Sequence, residues 1–214
     1  MIPCPPNIAA TLNVSRETMA RLEAYVELLA RWNHRINLVS AASLGEVWRR
    51  HILDSAQLHG HIPGDASSLV DLGSGAGLPG LVLAILGVRD VHLIESDRRK
   101  SEFLREVARI TGTAVTIHPA RIEAVDLFAA DVVTARALAP LDKLLSWATR
   151  FTGPETIGLF LKGRELADEL TSAGDQWIMR TQVLGSLSDP QGHILRVEGL
   201  QHAPCRNDSG FPES

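Results

Sequence analysis

The sequence predicts an α/β fold in which a mostly parallel β-sheet is covered by helices on both faces. Three observations indicate this class: short apolar runs alternate with helical patterns, a glycine-rich loop follows the first run, and an acidic residue ends the second. Strands that alternate with helices form parallel sheets whose faces are buried under those helices. With 214 residues, the chain is long enough for one such domain and a smaller appendage.

The appendage is predicted at the N-terminus, as a helical extension. The first dozen residues include three prolines and are expected to form a frayed arm. Ser15 should cap a helix in which apolar residues recur every three or four positions up to Trp32. A second, shorter helix is predicted from Val47 to about Leu58. We therefore divide the chain into a helical extension (1–65), a core (66–200) and a flexible tail (201–214).

The core is predicted to be a run of strands separated by helices. The strands are Leu69–Leu72, Val91–Glu95, Ala114–His118, Asp131–Ala135 and Ile157–Leu161, and the clearest helices are Arg98–Thr111 and Leu141–Phe151. Two alternating runs come last, Thr181–Leu184 and His193–Val197. The Ser-Asp-Pro-Gln-Gly turn between them predicts an antiparallel hairpin.

The glycine-rich loop between Asp71 and Gly80 predicts a site for a cofactor that carries a nucleoside. Glycine permits positive φ and lets the main chain approach a ligand closely. About twenty residues further on, Glu95 ends the second strand, the offset at which an acid binds ribose hydroxyls in nucleotide-binding βαβ units. Asp71 is expected either to hold the loop through backbone N–H groups or to orient the cofactor.

Two cofactor classes fit the loop spacing. Gly75, Gly77 and Gly80 satisfy the dinucleotide fingerprint, but that fingerprint places its first glycine directly after the strand. Here Gly73 and Ser74 intervene, and Gly73 fits the loop of proteins that use S-adenosylmethionine (AdoMet). A parallel sheet that ends in an antiparallel hairpin is also typical of such enzymes. The sequence therefore predicts a Rossmann-like AdoMet-dependent methyltransferase fold, with an NAD(P)-dependent oxidoreductase as the alternative.

Composition excludes several classes of protein. The net charge of −4 argues against a protein that coats nucleic acid by bulk charge, although a local basic face is compatible with it. Cys4 and Cys205 lie in the terminal segments, so neither a disulfide framework nor a cysteine nucleophile is expected, and a reduced, cytoplasmic setting is predicted. No apolar stretch reaches the length of a membrane span. A monomer without a metal site is expected.

The motifs together resemble the RsmG (GidB) family of bacterial methyltransferases, which modify N7 of a guanine in small-subunit ribosomal RNA. The resemblance covers roughly residues 15–200, and it is specific because a helical Arg-His-x-x-Asp-Ser motif is combined with the Gly-Leu-Pro-Gly run of the loop. The matching segments are Asn37–Leu38, Trp48–Ser55, Asp71–Gly80, Glu95–Lys100 and Ala135–Ala137. The chain has Glu95 where many members have aspartate, so the position still carries an acidic residue.

The resemblance implies an enzyme that methylates 16S rRNA, with the guanine at position 527 as its target. It also implies that Gly73 and Leu78 contact the cofactor, that Ile122 and Glu123 flank the adenine, and that Arg136 faces the site. Arg136 is the candidate for a positioning role in catalysis, because an arginine fork can bind a phosphate or the cofactor carboxylate. The full set of predicted cofactor residues is Asp71, Gly73, Gly75, Leu78, Glu95, Ile122, Glu123 and Arg136.

Basic residues of the helical extension are predicted to contact rRNA. They are Arg31, Arg35, Arg49 and Arg50, and Lys162 and Arg164 after the fifth strand could extend the same face. His51 and Asp54 are three residues apart on the second helix, so a structural contact between them is expected. Whether naked rRNA, an assembly intermediate or the finished small subunit is the substrate stays open at this point.

The residues present are compatible with methylation of a guanine N7. Exocyclic-amine methyltransferases commonly place Asn or Asp followed by prolines after the fourth strand, where this chain has Ala135–Leu138. Guanine N7 already carries a lone pair, so positioning can supply most of the catalysis. For the oxidoreductase alternative, the single tyrosine, Tyr25, lies far from the loop in sequence. A non-catalytic RNA-binding factor that keeps the AdoMet fold is a third interpretation.

Overall fold

The computed structural model describes residues 2–204, which contain one seven-stranded sheet. The strands are β1 (Leu69–Leu72), β2 (Val91–Ile94), β3 (Thr116–His118), β4 (Val132–Arg136), β5 (Ile157–Lys162), β6 (Trp177–Gly185) and β7 (His193–His202). Their order is β3-β2-β1-β4-β5-β7-β6, with β1 to β5 parallel and β7 antiparallel to both of its neighbours. The predicted fold class, a parallel sheet that ends in an antiparallel hairpin, is confirmed.

The helices lie before the sheet and between its strands. They are α1 (Pro6–Leu12), α2 (Arg16–Asn33), α3 (Ala41–Leu44), α4 (Asp54–Ala56), α5 (Gly80–Ile85), α6 (Arg98–Thr111), α7 (Leu141–Ala148) and α8 (Leu166–Ala173). A π-helix, Trp48–Leu53, runs directly into α4, and 3₁₀ turns cover Gln57–His61, Ile122–Ala124 and Thr149–Phe151. Ser15 caps α2 as predicted, since its Oγ accepts a hydrogen bond of 3.1 Å from the Thr18 N–H.

Two hydrophobic clusters cover the two faces of the sheet. Leu22 of α2, Leu81 of α5 and Phe103 of α6 belong to the cluster on one face. Leu145 of α7 and Phe160 of β5 belong to the cluster on the other. The N-terminal helix α2 is therefore part of the core layer that covers one face of the sheet. No helix among residues 2–204 has both the length and the hydropathy needed to cross a membrane.

The direction of the chain across the sheet reverses between β1 and β4, which lie side by side. From β1 the chain moves outward through β2 to β3, and from β4 it moves the other way to β5. In open α/β sheets, such a reversal creates a crevice at the carboxyl ends of the two strands, and ligands bind there. The glycine-rich loop follows β1 and Arg136 ends β4, so both lie at this crevice.

The expectation of a frayed N-terminal arm is wrong. Pro6 begins α1, where a missing backbone N–H costs nothing, and Ile8 is buried. The Trp48 indole also donates a hydrogen bond of 2.9 Å to the Ile2 carbonyl.

The prediction of a flexible tail from residue 201 onward is likewise wrong for its first two residues, because β7 continues to His202 and pairs with the start of β6. Residues 205–214, including Cys205, lie outside the described part of the chain.

The helix predicted from Val47 to Leu58 is present but is not a regular α-helix. Its first part is the π-helix, in which the Asp54 N–H reaches back five residues to the Arg49 carbonyl. Single π turns inside helices occur frequently at functional sites. The wider turn changes which side chains share a face, and this affects the site described next.

Candidate functional site

The glycine-rich loop turns sharply at the carboxyl end of β1. Gly73 and Gly75 have φ of 63° and 56°, left-handed conformations that other residues adopt at a cost. A side chain at Gly80 would collide with Asp71, because a Cβ there would lie 2.6 Å from the aspartate Cβ. The hydroxyl of Tyr25 in α2 donates to the Ala76 carbonyl, so the helical extension also holds the loop.

Asp71 lies beneath the loop and is fully buried. Its Oδ2 accepts a hydrogen bond of 3.2 Å from the Gly80 N–H, and its Oδ1 accepts one of 2.8 Å from the Thr134 hydroxyl of β4. Burial raises the pKa of Asp71 to about 6, although these hydrogen bonds act in the opposite direction. The contacts match the first alternative for Asp71, a carboxylate that holds the loop. Orientation of a cofactor by Asp71 stays a prediction.

Glu95 joins the loop to the start of α6. Its Oε2 accepts a hydrogen bond of 2.8 Å from the Gly75 N–H, and its Oε1 accepts one of 2.7 Å from the Asp97 N–H. The residue is 7% exposed. Sequence reasoning missed this structural role. Because a carboxylate has about four acceptor positions, two remain for ribose hydroxyls, and ribose binding stays a prediction.

A first cavity of about 630 Å³ lies between the loop and α7. Six of the eight predicted cofactor residues line it, namely Gly73, Gly75, Glu95, Ile122, Glu123 and Arg136. Sequence reasoning missed Lys143 and Trp147, which also line it and have no motif to mark them. The Trp147 indole donates a hydrogen bond of 2.7 Å to Glu123. A hydrogen bond from the backbone of Glu123 itself, and then the one from Trp147, lower the pKa of Glu123.

The residues of the first cavity fit AdoMet. Glu95 would supply a carboxylate for the ribose and Ile122 an aliphatic side chain for the adenine. Arg136 would supply a guanidinium for the methionine carboxylate. A Cβ at Gly75 would meet only the Gly73 carbonyl oxygen, at 3.8 Å, so the bare glycine leaves its side of the loop open to a ligand. The two remaining predicted cofactor residues lie elsewhere: Leu78 lines a second cavity, and Asp71 lies under the loop.

Arg136 is held by the π-helix. Its Nη1 donates to the Arg50 carbonyl at 3.1 Å and to His51 Nδ1 at 2.9 Å, and it lies 3.5 Å from Asp54 Oδ2. The Arg136 and Asp54 side chains are 19% and 17% exposed, so this ion pair is largely shielded from water. The guanidinium of Arg136 is therefore paired with Asp54 and also lines both cavities. A role of Arg136 in binding or catalysis stays a prediction.

His51 is buried and neutral. Burial, together with the charges of Arg136 and Arg50, lowers the pKa of His51 to about 3. Since Nδ1 accepts from Arg136, the proton is on Nε2, which lies 2.9 Å from the Ser43 hydroxyl. The expected contact between His51 and Asp54 is wrong: no hydrogen bond joins them in the described chain. In a π-helix, residues three apart are not stacked as in an α-helix, and both side chains meet Arg136 instead.

A second cavity of about 550 Å³ lies between the π-helix and the turn of the β6–β7 hairpin. It shares Gly73, Gly75, Lys100, Arg136 and Ala137 with the first cavity, so the two meet beside the loop. Sequence reasoning missed the hairpin turn as part of the site, because nothing local connects residues 186–192 with a loop more than a hundred positions earlier.

The predicted RNA-contact arginines do not share one environment. Arg31 and Arg35 are exposed on and just after α2, and neither lines the two cavities. Arg49 binds within the protein: it pairs with Glu46 at 2.8 Å and donates to the Ser188 carbonyl of the hairpin turn. Arg50 is exposed and lines the second cavity. RNA contact by these residues stays a prediction.

The two basic residues at and after the carboxyl end of β5, Lys162 and Arg164, also differ in their surroundings. Lys162 lines the second cavity, donates a hydrogen bond of 3.2 Å to the Ala139 carbonyl, and pairs with Glu169. Arg164 is exposed and lines neither cavity. Only Lys162 is therefore part of the site.

Comparison with known proteins places relatives of this chain in one family. A family model described as GidB, rRNA small subunit methyltransferase G, matches residues 18–194. A ribosomal RNA small subunit methyltransferase G of Rhodospirillum rubrum is 54% identical over 199 residues, covering 93% of this chain and 99% of the relative. One of Parvibaculum lavamentivorans is 55% identical over 205 residues, covering 92% and 90%.

Solved structures share the fold at low sequence identity. A putative O-methyltransferase from Klebsiella pneumoniae has a TM-score of 0.61 at 15% identity, covering 90% of this chain and 95% of its own. The 16S rRNA methylase RmtB has a TM-score of 0.57 at 15% identity, covering 86% and 75%. M. jannaschii TYW2, solved with AdoMet, has a TM-score of 0.56 at 16% identity, covering 79% and 80%.

Proposed function

Because the chain belongs to the rRNA small subunit methyltransferase G family, we propose that it transfers the methyl group of AdoMet to N7 of a guanine in 16S rRNA. The observation that carries the proposal is the meeting of two cavities at Gly73, Gly75 and Arg136. One cavity has the residues that fit AdoMet, and the other is open to a second ligand. The nicotinamide-dependent alternative has no support from the family.

The chain's own residues would act mainly by positioning. AdoMet, when bound, supplies an electrophilic methyl group on a sulfonium. Guanine N7 attacks with its own lone pair, so no side chain has to remove a proton first. Nη1 of Arg136 is fixed by two hydrogen bonds to the π-helix and by an ion pair with Asp54 of α4. The remaining N–H groups can therefore hold a bound partner without first losing conformational freedom. Holding N7 in line with the methyl group would then supply most of the rate enhancement.

The substrate is proposed to be small-subunit rRNA, in the cytoplasm where a ribosomal substrate is expected. Action as a monomer stays part of the proposal. A helical extension that contacts RNA, ahead of a cofactor-binding core, stays part of the proposal. Arg50 and Lys100 line the second cavity and are the basic residues best placed for phosphates there.

Methyl transfer to small subunits that lack the modification tests this function. The labelled methyl group of AdoMet should be transferred to 16S rRNA. In a parallel control reaction, the large ribosomal subunit should stay unlabelled. The same reaction on naked 16S rRNA and on assembly intermediates identifies the substrate form. AdoMet binding without methyl transfer to small subunits, naked rRNA or assembly intermediates would instead favour the non-catalytic RNA-binding factor.

A further inference from the structure

We propose that a groove between the end of α2 and α3 binds the base of a nucleotide next to the methylated guanine, and that Asn37 contacts the edge of this base. The groove has a volume of about 420 Å³. This inference rests on the proposed function and adds a second recognised nucleotide to the substrate. The ligand class is an unpaired nucleotide in the same RNA strand as the target.

The position of the groove suits a neighbour of the target nucleotide. The groove and the second cavity meet at one short segment, because Leu38, Val39 and Ser40 line both. The second cavity in turn meets the proposed cofactor cavity beside the glycine-rich loop. An RNA strand that brings a guanine to the methyl group therefore has an adjoining recess for the next nucleotide along the strand.

The lining of the groove combines apolar surface with an available amide. Leu38 and Leu44 supply aliphatic groups on which the face of a base can pack. Asn37 is exposed, and its side chain forms no hydrogen bond within residues 2–204. An asparagine amide has two donor hydrogens and one acceptor oxygen, so it can form paired hydrogen bonds with a base edge. Unpaired RNA bases present such edges to proteins.

The segment that carries Asn37 is held in place without a ligand. Asn33 Oδ1, at the end of α2, accepts hydrogen bonds of 3.0 Å from the Leu38 N–H and 2.9 Å from the Val39 N–H. The preceding residue, Ile36, is buried in the core cluster that includes α2. Asn37 therefore lies between anchored residues on both sides. A preformed binding segment avoids an ordering cost when the ligand binds.

The charge around the groove is compatible with a nucleic acid. Arg35 is exposed two positions before Asn37, and the exposed Arg50 lines the adjoining second cavity. His34 is exposed and lines the groove itself. Within the described part of the chain, no acidic residue lines the groove. The groove therefore does not repel the phosphates on either side of a bound base.

Two variants change the groove in different ways. Asn37→Ala removes the amide, and the fold should persist because this exposed side chain has no hydrogen bond in the described chain. Ala41→Trp fills the groove from α3, where Ala41 is exposed. The matched control is Ala42→Trp, because Ala42 is the next residue of the same helix, is also exposed, and lines neither the groove nor the second cavity.

Initial rates of methyl transfer at varied concentrations of unmethylated small subunits give kcat and KM, and calorimetry gives the AdoMet affinity. For Asn37→Ala and Ala41→Trp we expect KM for the subunit to be at least about fivefold above the parent, with kcat and AdoMet affinity within about twofold, because a contact away from the reacting atoms stabilises the bound substrate and the transition state alike. Ala42→Trp should match the parent in all three. A KM equal to that of the parent in either groove variant would overturn the proposal, as would an equal rise in the control.

Replacement of the RNA base identifies the occupant of the groove. The two nucleotides that flank the methylated guanine are replaced one at a time in reconstituted small subunits. For the parent, one replacement should raise KM about as much as Asn37→Ala does, and the two changes together should raise it no further, since they remove the same contact. Fully additive effects at both flanking positions would overturn the proposal and assign the groove to a phosphate or to a ribosomal protein. Absence of methyl transfer by the parent protein would instead contradict the proposed function itself.

Discussion

Replacing Glu95 with alanine should lower both the stability of the fold and the affinity for AdoMet. The Glu95 carboxylate accepts hydrogen bonds of 2.8 Å from the Gly75 N–H and 2.7 Å from the Asp97 N–H, and the residue is 7% exposed. Alanine removes both acceptors at once. Two part-buried backbone N–H groups would then lose their acceptor and have to bond to water instead.

The two hydrogen bonds of Glu95 set the size of the expected loss of stability. A hydrogen bond to a charged group contributes about 1.5–3 kcal/mol, so two such bonds set an upper bound of about 3–6 kcal/mol. Relaxation and partial entry of water reduce this, and we expect the free energy of unfolding to fall by about 2–4 kcal/mol. If Glu95 also binds the ribose, AdoMet affinity should fall by roughly 5- to 150-fold, equivalent to losing 1–3 kcal/mol of binding free energy.

Urea unfolding followed by circular dichroism measures the first quantity, and calorimetric titration of the folded variant measures the second. Glu102→Ala is a matched control, because Glu102 is an exposed acid of α6 that pairs only with its helix neighbour Arg105 among the described residues. It should change stability by less than about 0.5 kcal/mol. Stability of Glu95→Ala equal to that of the control would refute the anchoring role. Lower stability with unchanged AdoMet affinity would leave Glu95 a purely structural residue.

Three further predictions concern Asp71, Arg136 and the exposed arginines on and just after α2. Because burial raises the pKa of Asp71 to about 6, its folded form binds a proton more readily than the unfolded chain, so its stabilising contribution should fall by up to about 3 kcal/mol as pH rises from 4 to 6. Unfolding of the parent and of Asp71→Asn across this range measures the difference, and parallel pH profiles would contradict it. Arg136→Lys replaces a guanidinium held by two hydrogen bonds and an ion pair with a single ammonium. It should reduce methyl transfer by about 10- to 100-fold while rRNA affinity changes less than about threefold, and equal losses would contradict a positioning role. The double change Arg31→Ala and Arg35→Ala should weaken rRNA binding and lower its salt slope by roughly one unit per lost phosphate contact, whereas an unchanged slope would exclude α2 from the RNA-binding face.

The sequence predicted the parts of the site that depend on local patterns. The strand, the glycine loop and the acid of the next strand lie within about thirty residues, and backbone conformation together with strand alternation fixes their mutual position. That is why β1, the loop and Glu95 were found together at the carboxyl edge of the sheet. The antiparallel hairpin was also predictable, because Asp-Pro-Gln-Gly between two alternating runs indicates a turn.

The parts that were not predicted depend on contacts between distant residues. Arg49 appeared to be a phosphate ligand from its charge alone, but it donates to Ser188, 139 positions away. His51 and Asp54 were expected to touch because of α-helical spacing, and a π turn directs both to Arg136 instead. The first dozen residues were expected to fray because of their prolines. The Ile8 side chain and the Ile2 carbonyl have partners that no local pattern reveals.

The central claim is that this chain methylates N7 of a guanine in 16S rRNA. Its most direct test is reaction of the purified protein with labelled AdoMet and unmethylated small subunits, followed by nuclease digestion and mass spectrometry of the labelled 16S rRNA. We expect one labelled product, 7-methylguanosine, from a single position. A methyl group on an exocyclic amine, a ribose or a different base would contradict the account.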